Sequence, residues 1–222
     1  MRYPCLVLDH DDTVVNSTAV IHYPSFVEYL KRVRPGAHYT LEEYFRLNFD
    51  PGIIPLFTQV LGFSDEELEG EFDFWKEYVK TRVPDVFPGM REILWRFHEK
   101  GGIITVVSHS VSENILRDYH ENGLPQPDAI FGWELPPEQR KPHPYPLEQI
   151  MRQFSLGPEQ LLMLDDLKPG FDMAQLCGVD FAAAGWANDI PQIEQFMRRY
   201  GKYYFKTVDA FGAFMEECYE EG

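Results

Sequence analysis

Hydrophobic positions along this chain follow two rhythms, and the boundary between them divides the sequence. Cys5-Leu6-Val7-Leu8 is a continuous apolar run of strand length. Such a run suits a parallel strand buried on both faces. It ends abruptly in Asp9-His10-Asp11-Asp12-Thr13. Runs at 103–107, 129–131, 161–164, 179–183 and 203–205 repeat the pattern. The first and third of these end in polar residues, Ser108 and Asp165-Asp166. Between residues 17 and 82 the period changes to that of a helix. Phe26, Tyr29, Leu30 and Val33 share one helical face, which Pro35-Gly36 terminates. Thr40 with Glu43 and Ser64 with Glu67 have the spacing of capping boxes. A further apolar segment, 53–61, lies between Pro51-Gly52 and Gly62.

Four predicted helices in that stretch make a small bundle rather than a linker. After residue 83 strands and helices alternate. One helix carries Met90, Ile93, Leu94 and Phe97 on one face and ends at Gly101-Gly102. Another is expected to start from Ser110-Val111-Ser112-Glu113. A third carries Leu147, Ile150, Met151 and Phe154, and others run to Cys177, over 189–199 and from 209. This alternation predicts a Rossmann-like α/β fold with a parallel sheet covered by helices on both faces. The expected division is a core of 1–15 and 84–222, interrupted by a four-helix cap over 16–83.

Composition narrows the function. The 222 residues carry 20 Lys+Arg against 36 Asp+Glu, a formal net charge of -16. That balance argues against a nucleic-acid partner or an anionic membrane surface. No run approaches the roughly 18 apolar residues of a membrane span. The N-terminus runs straight into the acidic strand, with no charged and apolar leader, so no secretion signal is expected. Three cysteines, Cys5, Cys177 and Cys218, lack metal or redox spacing, and the expectation is reduced thiols in a cytoplasmic protein, monomeric or homodimeric.

The chemistry sits where strands end. Charge cannot sit inside a strand buried on both faces, so these carboxylates belong at the open carboxyl edge of the sheet, where α/β proteins bind ligands. In a regular strand Asp9 and Asp11 would lean to the same face. Carboxylates that close repel unless a cation or a shared proton relieves them, and a divalent metal is the natural expectation. Ser108, Asp165-Asp166 and the loop Arg140-Lys141-Pro142-His143-Pro144 fall at the same edge.

In this order, these pieces resemble the haloacid dehalogenase superfamily. The pieces are a strand ending DxDx[T/V], a strand ending in Ser, a Lys before a helix, and a strand ending in an acidic pair. Lys141-Pro142-His143-Pro144 is similar to the KPxP form of phosphoglycolate-phosphatase-like members, and the helical insertion to their cap. The resemblance implies a magnesium-dependent phosphatase acting on a small phosphorylated metabolite, with a β-phosphoglucomutase-like phosphomutase and a catalytically silent binding protein as alternatives. Asp9 is then the nucleophile and Asp11 the general acid and base. Ser108, with the backbone N–H groups of His109 and Ser110, binds phosphoryl oxygens, and Lys141 neutralises nucleophile and phosphate. Magnesium is held by Asp9, the carbonyl of Asp11, and Asp166, with Asp165 a second or water-mediated ligand.

Asp12 departs from the glycine many relatives have there, and an aspartate tolerates a left-handed backbone better than most residues. His10, His22, His109 and His143 are not expected as magnesium ligands. Dehalogenation is disfavoured because that chemistry needs neither the acid nor the metal. A receiver domain fails on the order of its motifs. Specificity is expected in the cap, where Asn16, Ser17, His22, Tyr23, Arg46, Asn48 and Phe49 are candidates. Arg46 there would meet a second anionic group or simply be an exposed helix arginine.

Overall fold

A computed structural model describes residues 1–220. In chain order the elements are β1 (Cys5–Leu8), β2 (Val15–Asn16), α1 (Tyr23–Val33), α2 (Leu41–Phe49), α3 (Ile53–Pro55) and α4 (Asp65–Val79). They continue with β3 (Asp85–Val86), α5 (Met90–Glu99), β4 (Ile103–Val107), α6 (Ser112–Glu121), β5 (Ala129–Phe131) and α7 (Tyr145–Phe154). The chain closes with β6 (Leu161–Asp165), α8 (Lys168–Cys177), β7 (Asp180–Ala184), α9 (Pro191–Tyr200), β8 (Tyr203–Phe205) and α10 (Val208–Glu220). Wider π-type turns at Thr18–His22 and Leu56–Val60 lead into α1 and extend α3.

Six parallel strands form one sheet in the order β5-β4-β1-β6-β7-β8. From β1 the chain winds outward through β4 and β5, then crosses to the other side of β1 for β6, β7 and β8. β1 therefore sits at the topological switch point, the place where such sheets open a crevice beyond their carboxyl ends. The register fixes where each strand end lies along that crevice. Leu8 pairs with Val106 on one side and Leu164 on the other. The next residues, Asp9, Val107 and Asp165, therefore lie level across three strands.

The strands are apolar because both faces are covered. All four β1 residues are fully buried. Leu6 and Leu8 pack with Ile104, Val106, Leu162 and Leu164, under Met90, Leu94 and Phe97 of α5 and Phe211 and Met215 of α10. Burial of each such side chain stabilises the fold by roughly 2 kcal/mol. A short antiparallel hairpin, β2 with β3, was not visible in the pattern, because two-residue strands carry no period. β7 lies one residue later than expected, since Val179 is the last residue before the strand rather than its first. α6 begins at Ser112 with Val111 as its N-cap, and Ser110 does not cap it.

The chain forms two compact units, Met1–Asn16 with Asp85–Gly222, and Ser17–Pro84. The second has its own core of Phe26, Tyr29, Leu30, Tyr44, Leu56, Phe57 and Phe63. Both capping boxes are formed, with Thr40 and Ser64 each accepting from the backbone N–H three residues on and the glutamates returning the bond. Arg46 lies on the exposed face of α2 beside Glu42, 3.7 Å away, as an ordinary helix pair. Cys5, Cys177 and Cys218 are thiols outside any disulfide. No helix among the described residues is long and apolar enough to cross a membrane.

Glu71 is the anomaly of this second unit, a buried carboxyl on α4. Burial pushes it up to about 7, with His22 opposing the shift. Its folded form holds a proton more tightly than its unfolded form, so stability falls as pH rises from about 4.5 to 7 and stays lower above. Glu71→Gln is expected to raise stability by on the order of 2 kcal/mol at pH 8 and hardly at all at pH 4.5. Thermal unfolding at the two values checks this; equal effects at both would remove burial of the charge as the cause.

Candidate active site

Three carboxylates converge beyond the ends of β1 and β6. Asp9, Asp165 and Asp166 each offer an oxygen within 4.8 Å of the others, and all three residues are buried. The level register brings them together. Asp9 continues β1, its N–H donating to the Leu164 carbonyl at 2.9 Å, while Asp165 ends β6 and Asp166 follows it. Lys141, 5% exposed, reaches in from the loop after β5, its Nζ 2.9 Å from Asp9 Oδ1 and 2.8 Å from Asp165 Oδ2. The other basic residues near that position are engaged elsewhere. Lys168 pairs with Asp172, and Arg140 lies over the Trp133 ring and donates to the Leu135 carbonyl.

One lysine does not balance three buried carboxylates. Burial, then Asp9, pushes the Asp165 carboxyl up, against the opposing pull of Lys141. Burial, then Asp12, Asp165 and Asp9, pushes Asp166 well above the usual carboxylate range. Burial alone would lower the Lys141 ammonium, but Asp165 and Asp9 outweigh it and the net shift is upward. Asp165 spends its second oxygen on the Leu167 N–H, at 2.8 Å. Asp166 Oδ1 is buried with no hydrogen-bond partner. An oxygen-rich, over-charged cluster with an orphaned carboxylate oxygen is a donor set that suits a hard divalent cation such as magnesium.

These shifts make stability depend on pH. Because both acids hold protons more tightly in the folded state, metal-free stability falls as pH rises from about 4 towards neutrality. A divalent cation must displace those protons, so its stabilisation grows over the same range. Magnesium is expected to raise the melting temperature more at pH 8 than at pH 5; an equal rise would detach the cation from this cluster.

Asp11 lies elsewhere than a regular strand would put it. β1 ends at Leu8, and the following turn rotates the Asp11 carboxylate out of the three-carboxylate group. Asp11 is half-buried, and its Oδ2 accepts from the Ser110 hydroxyl at 2.6 Å. The turn passes through Asp12 at φ +58°, the left-handed region in which aspartate is among the better-tolerated non-glycine residues. The Asp12 side chain is buried and its charge bears on Asp166.

Ser108 follows β4 and is buried. Its Oγ accepts the Ser110 N–H at 3.1 Å, so that N–H is already used and the expected anion donors reduce to the Ser108 hydroxyl and the His109 N–H. The His109 ring meets the Lys141 carbonyl at 3.0 Å and the edge of Trp133. Burial, then Lys141, lowers its pKa to about 4, so it stays neutral at physiological pH. Glu134 takes the Ser112 N–H at 2.8 Å, giving α6 a cap from a distant loop.

Of the other histidines, His10 pairs with Asp118, His22 accepts from Trp75, and His143 is exposed. Sequence spacing missed Asp118, Gly170 and the bond from the Ser110 hydroxyl to Asp11. An added Cβ at Gly170 would lie 2.1 Å from an Asp165 carboxylate oxygen, so only glycine lets α8 pack against that acid.

Comparison with known proteins finds similar chains. A Haemophilus influenzae phosphoglycolate phosphatase is 26% identical over 133 residues, 58% of each chain. The chain thus spans well under two thirds of that curated relative. A haloacid dehalogenase-like family protein from Streptococcus pneumoniae superimposes with a TM-score of 0.73 at 17% identity, over 91% of this chain and 93% of that one. A CbbY variant from Rhodobacter sphaeroides, solved with xylulose-(1,5)bisphosphate, superimposes with a TM-score of 0.69 at 15% identity, over 92% and 94%. Residues 6–184 match the family described as haloacid dehalogenase-like hydrolase, and the chain belongs to that family.

Proposed function

We propose that this protein is a magnesium-dependent phosphatase that hydrolyses a small phosphate monoester through an aspartyl-phosphate on Asp9. The observation that carries the reading is the buried Asp9 carboxylate, held by Lys141 inside a three-carboxylate group beside the Ser108 loop. The family membership and a relative named phosphoglycolate phosphatase support the same class.

An Asp9 oxygen attacks phosphorus as the ester P–O bond breaks, and Asp11 gives its proton to the departing alkoxide. In the second half Asp11 takes a proton from water, whose oxygen attacks phosphorus and releases phosphate with the Asp9 carboxylate restored. Ser108 and the His109 N–H orient the phosphoryl oxygens, and Lys141 offsets charge on Asp9 and phosphate. Ser110, bonded to Asp11, fixes the direction in which that acid points. Asp9, Asp165, Asp166 and the carbonyl of Asp11 would hold magnesium, which supplies positive charge for the phosphoryl oxygens. The helical unit, Ser17–Pro84, is the cap in this reading and supplies specificity.

Phosphate release from a panel of phosphate monoesters, with magnesium or with chelator, tests the proposal. Magnesium-dependent release is expected. No release from any ester with magnesium bound would overturn it, and a phosphoryl group passed from Asp9 to a sugar phosphate instead would make the protein a mutase.

A further inference from the structure

Position 10 lies between the nucleophile and the acid, and its side chain is spent on a contact that phosphoryl transfer does not itself require. His10 is 1% exposed. Its Nε2 lies 3.0 Å from Asp118 Oδ2 on α6, a buried pair. Arg117 closes on the other oxygen, with Nε 2.8 Å and Nη2 2.7 Å from Asp118 Oδ1. The His10 ring stacks on Tyr119, centroids 5.9 Å apart. Meanwhile the His10 carbonyl accepts the N–H groups of Val14 and Val15, at 3.0 and 3.1 Å, which closes the turn holding Asp9 to Asp12.

An apolar residue would fill this pocket at lower desolvation cost, because burying polar side chains costs free energy that well-packed hydrophobic ones do not. What such a pair can supply is register. α6 is the helix that follows Ser108, His109 and Ser110, so the His10–Asp118 contact ties the turn carrying the nucleophile to the element behind the phosphoryl-binding loop. The Ser110–Asp11 bond, at 2.6 Å, is a second tie between the same two segments. We infer that His10, through Asp118 and Arg117, is a positioning residue that holds Asp9 and Asp11 in register with the Ser108 loop. The inference rests on the phosphoryl-transfer reading of Asp9.

The test compares His10→Leu with His10→Gln, whose amide nitrogen can still donate to Asp118. Two readouts are taken: steady-state turnover of a phosphate ester, and binding of trifluoroberyllate with magnesium, an acyl-phosphate mimic that needs no turnover, followed by ¹⁹F NMR and titration. His10→Leu is expected to lose about 10- to 100-fold in kcat with KM within about threefold, and a comparable factor in trifluoroberyllate affinity. His10→Gln is expected to recover most of both, which simple filling of the pocket would not explain. If His10→Leu does not fold, the double variant His10→Leu/Asp118→Leu removes both partners of the contact at once and is expected to show the same losses. A folded Leu variant, single or double, with wild-type kcat and trifluoroberyllate affinity would overturn the inference, as would a folded His10→Gln that recovers neither. Should the wild type bind trifluoroberyllate yet release no phosphate, the phosphatase reading fails alone and the binding arm still decides; binding of neither kind overturns both.

Discussion

Asp9→Asn is expected to lower phosphate release by roughly 10⁴-fold or more while leaving the fold intact. The amide keeps the shape of the side chain but cannot form the acyl phosphate. It also removes one of the charges that hold Asp165 and Asp166 above the ordinary carboxylate range. The metal-free variant should therefore melt no lower than wild type, and it should bind magnesium more weakly. Turnover assays with melting curves check both parts. A folded Asp9→Asn protein with wild-type activity would sink the nucleophile assignment.

Lys141→Met acts on the opposite side of the balance. Lys141 contacts both Asp9 and Asp165 from a fully buried position. Its loss leaves three buried carboxylates without their ammonium. Breaking a buried pair by removing one partner costs about 3–5 kcal/mol, so the metal-free variant should be destabilised on that scale. Activity should fall by roughly 10²- to 10³-fold, the cost of losing a preorganised charge at the reacting centre. Magnesium should restore more stability to this variant than to wild type, since the cation then meets the cluster with no competing ammonium. Melting curves with and without magnesium decide it. A variant as stable as wild type without metal would mean that the carboxylates share protons instead.

Short-range rules governed the part of the molecule that was legible in the sequence. The run at Cys5 to Leu8 followed by acids reads as a buried strand reaching an open edge, because burial and charge cannot share a site. The parallel sheet follows from alternation, and the caps at Thr40 and Ser64 from the reach of a side chain to its own helix. The features that stayed hidden depend on tertiary neighbours. Asp11 turns to Ser110 because β1 stops at Leu8 and the chain bends through Asp12, and alternation along a strand cannot foresee where the strand stops. Ser110 looked like a helix cap because serines before helices usually are, yet its hydroxyl goes to an acid 99 residues away. Asp118 lay on a helix that pattern alone would make solvated there, while its partner His10 sits across the sheet edge. Gly170 gave no signal, since a close approach to Asp165 is a property of packing.

The most direct test of the central claim is to trap the covalent intermediate. Acid quenching of the protein with a phosphate ester that it turns over, reduction with borohydride and mass spectrometry would locate any acyl phosphate as the corresponding alcohol. Conversion of Asp9 alone, dependent on magnesium and absent in Asp9→Asn, is the predicted result. Rapid phosphate release with Asp9 unmodified, or with the label on Asp11, Asp165 or Asp166, would contradict it.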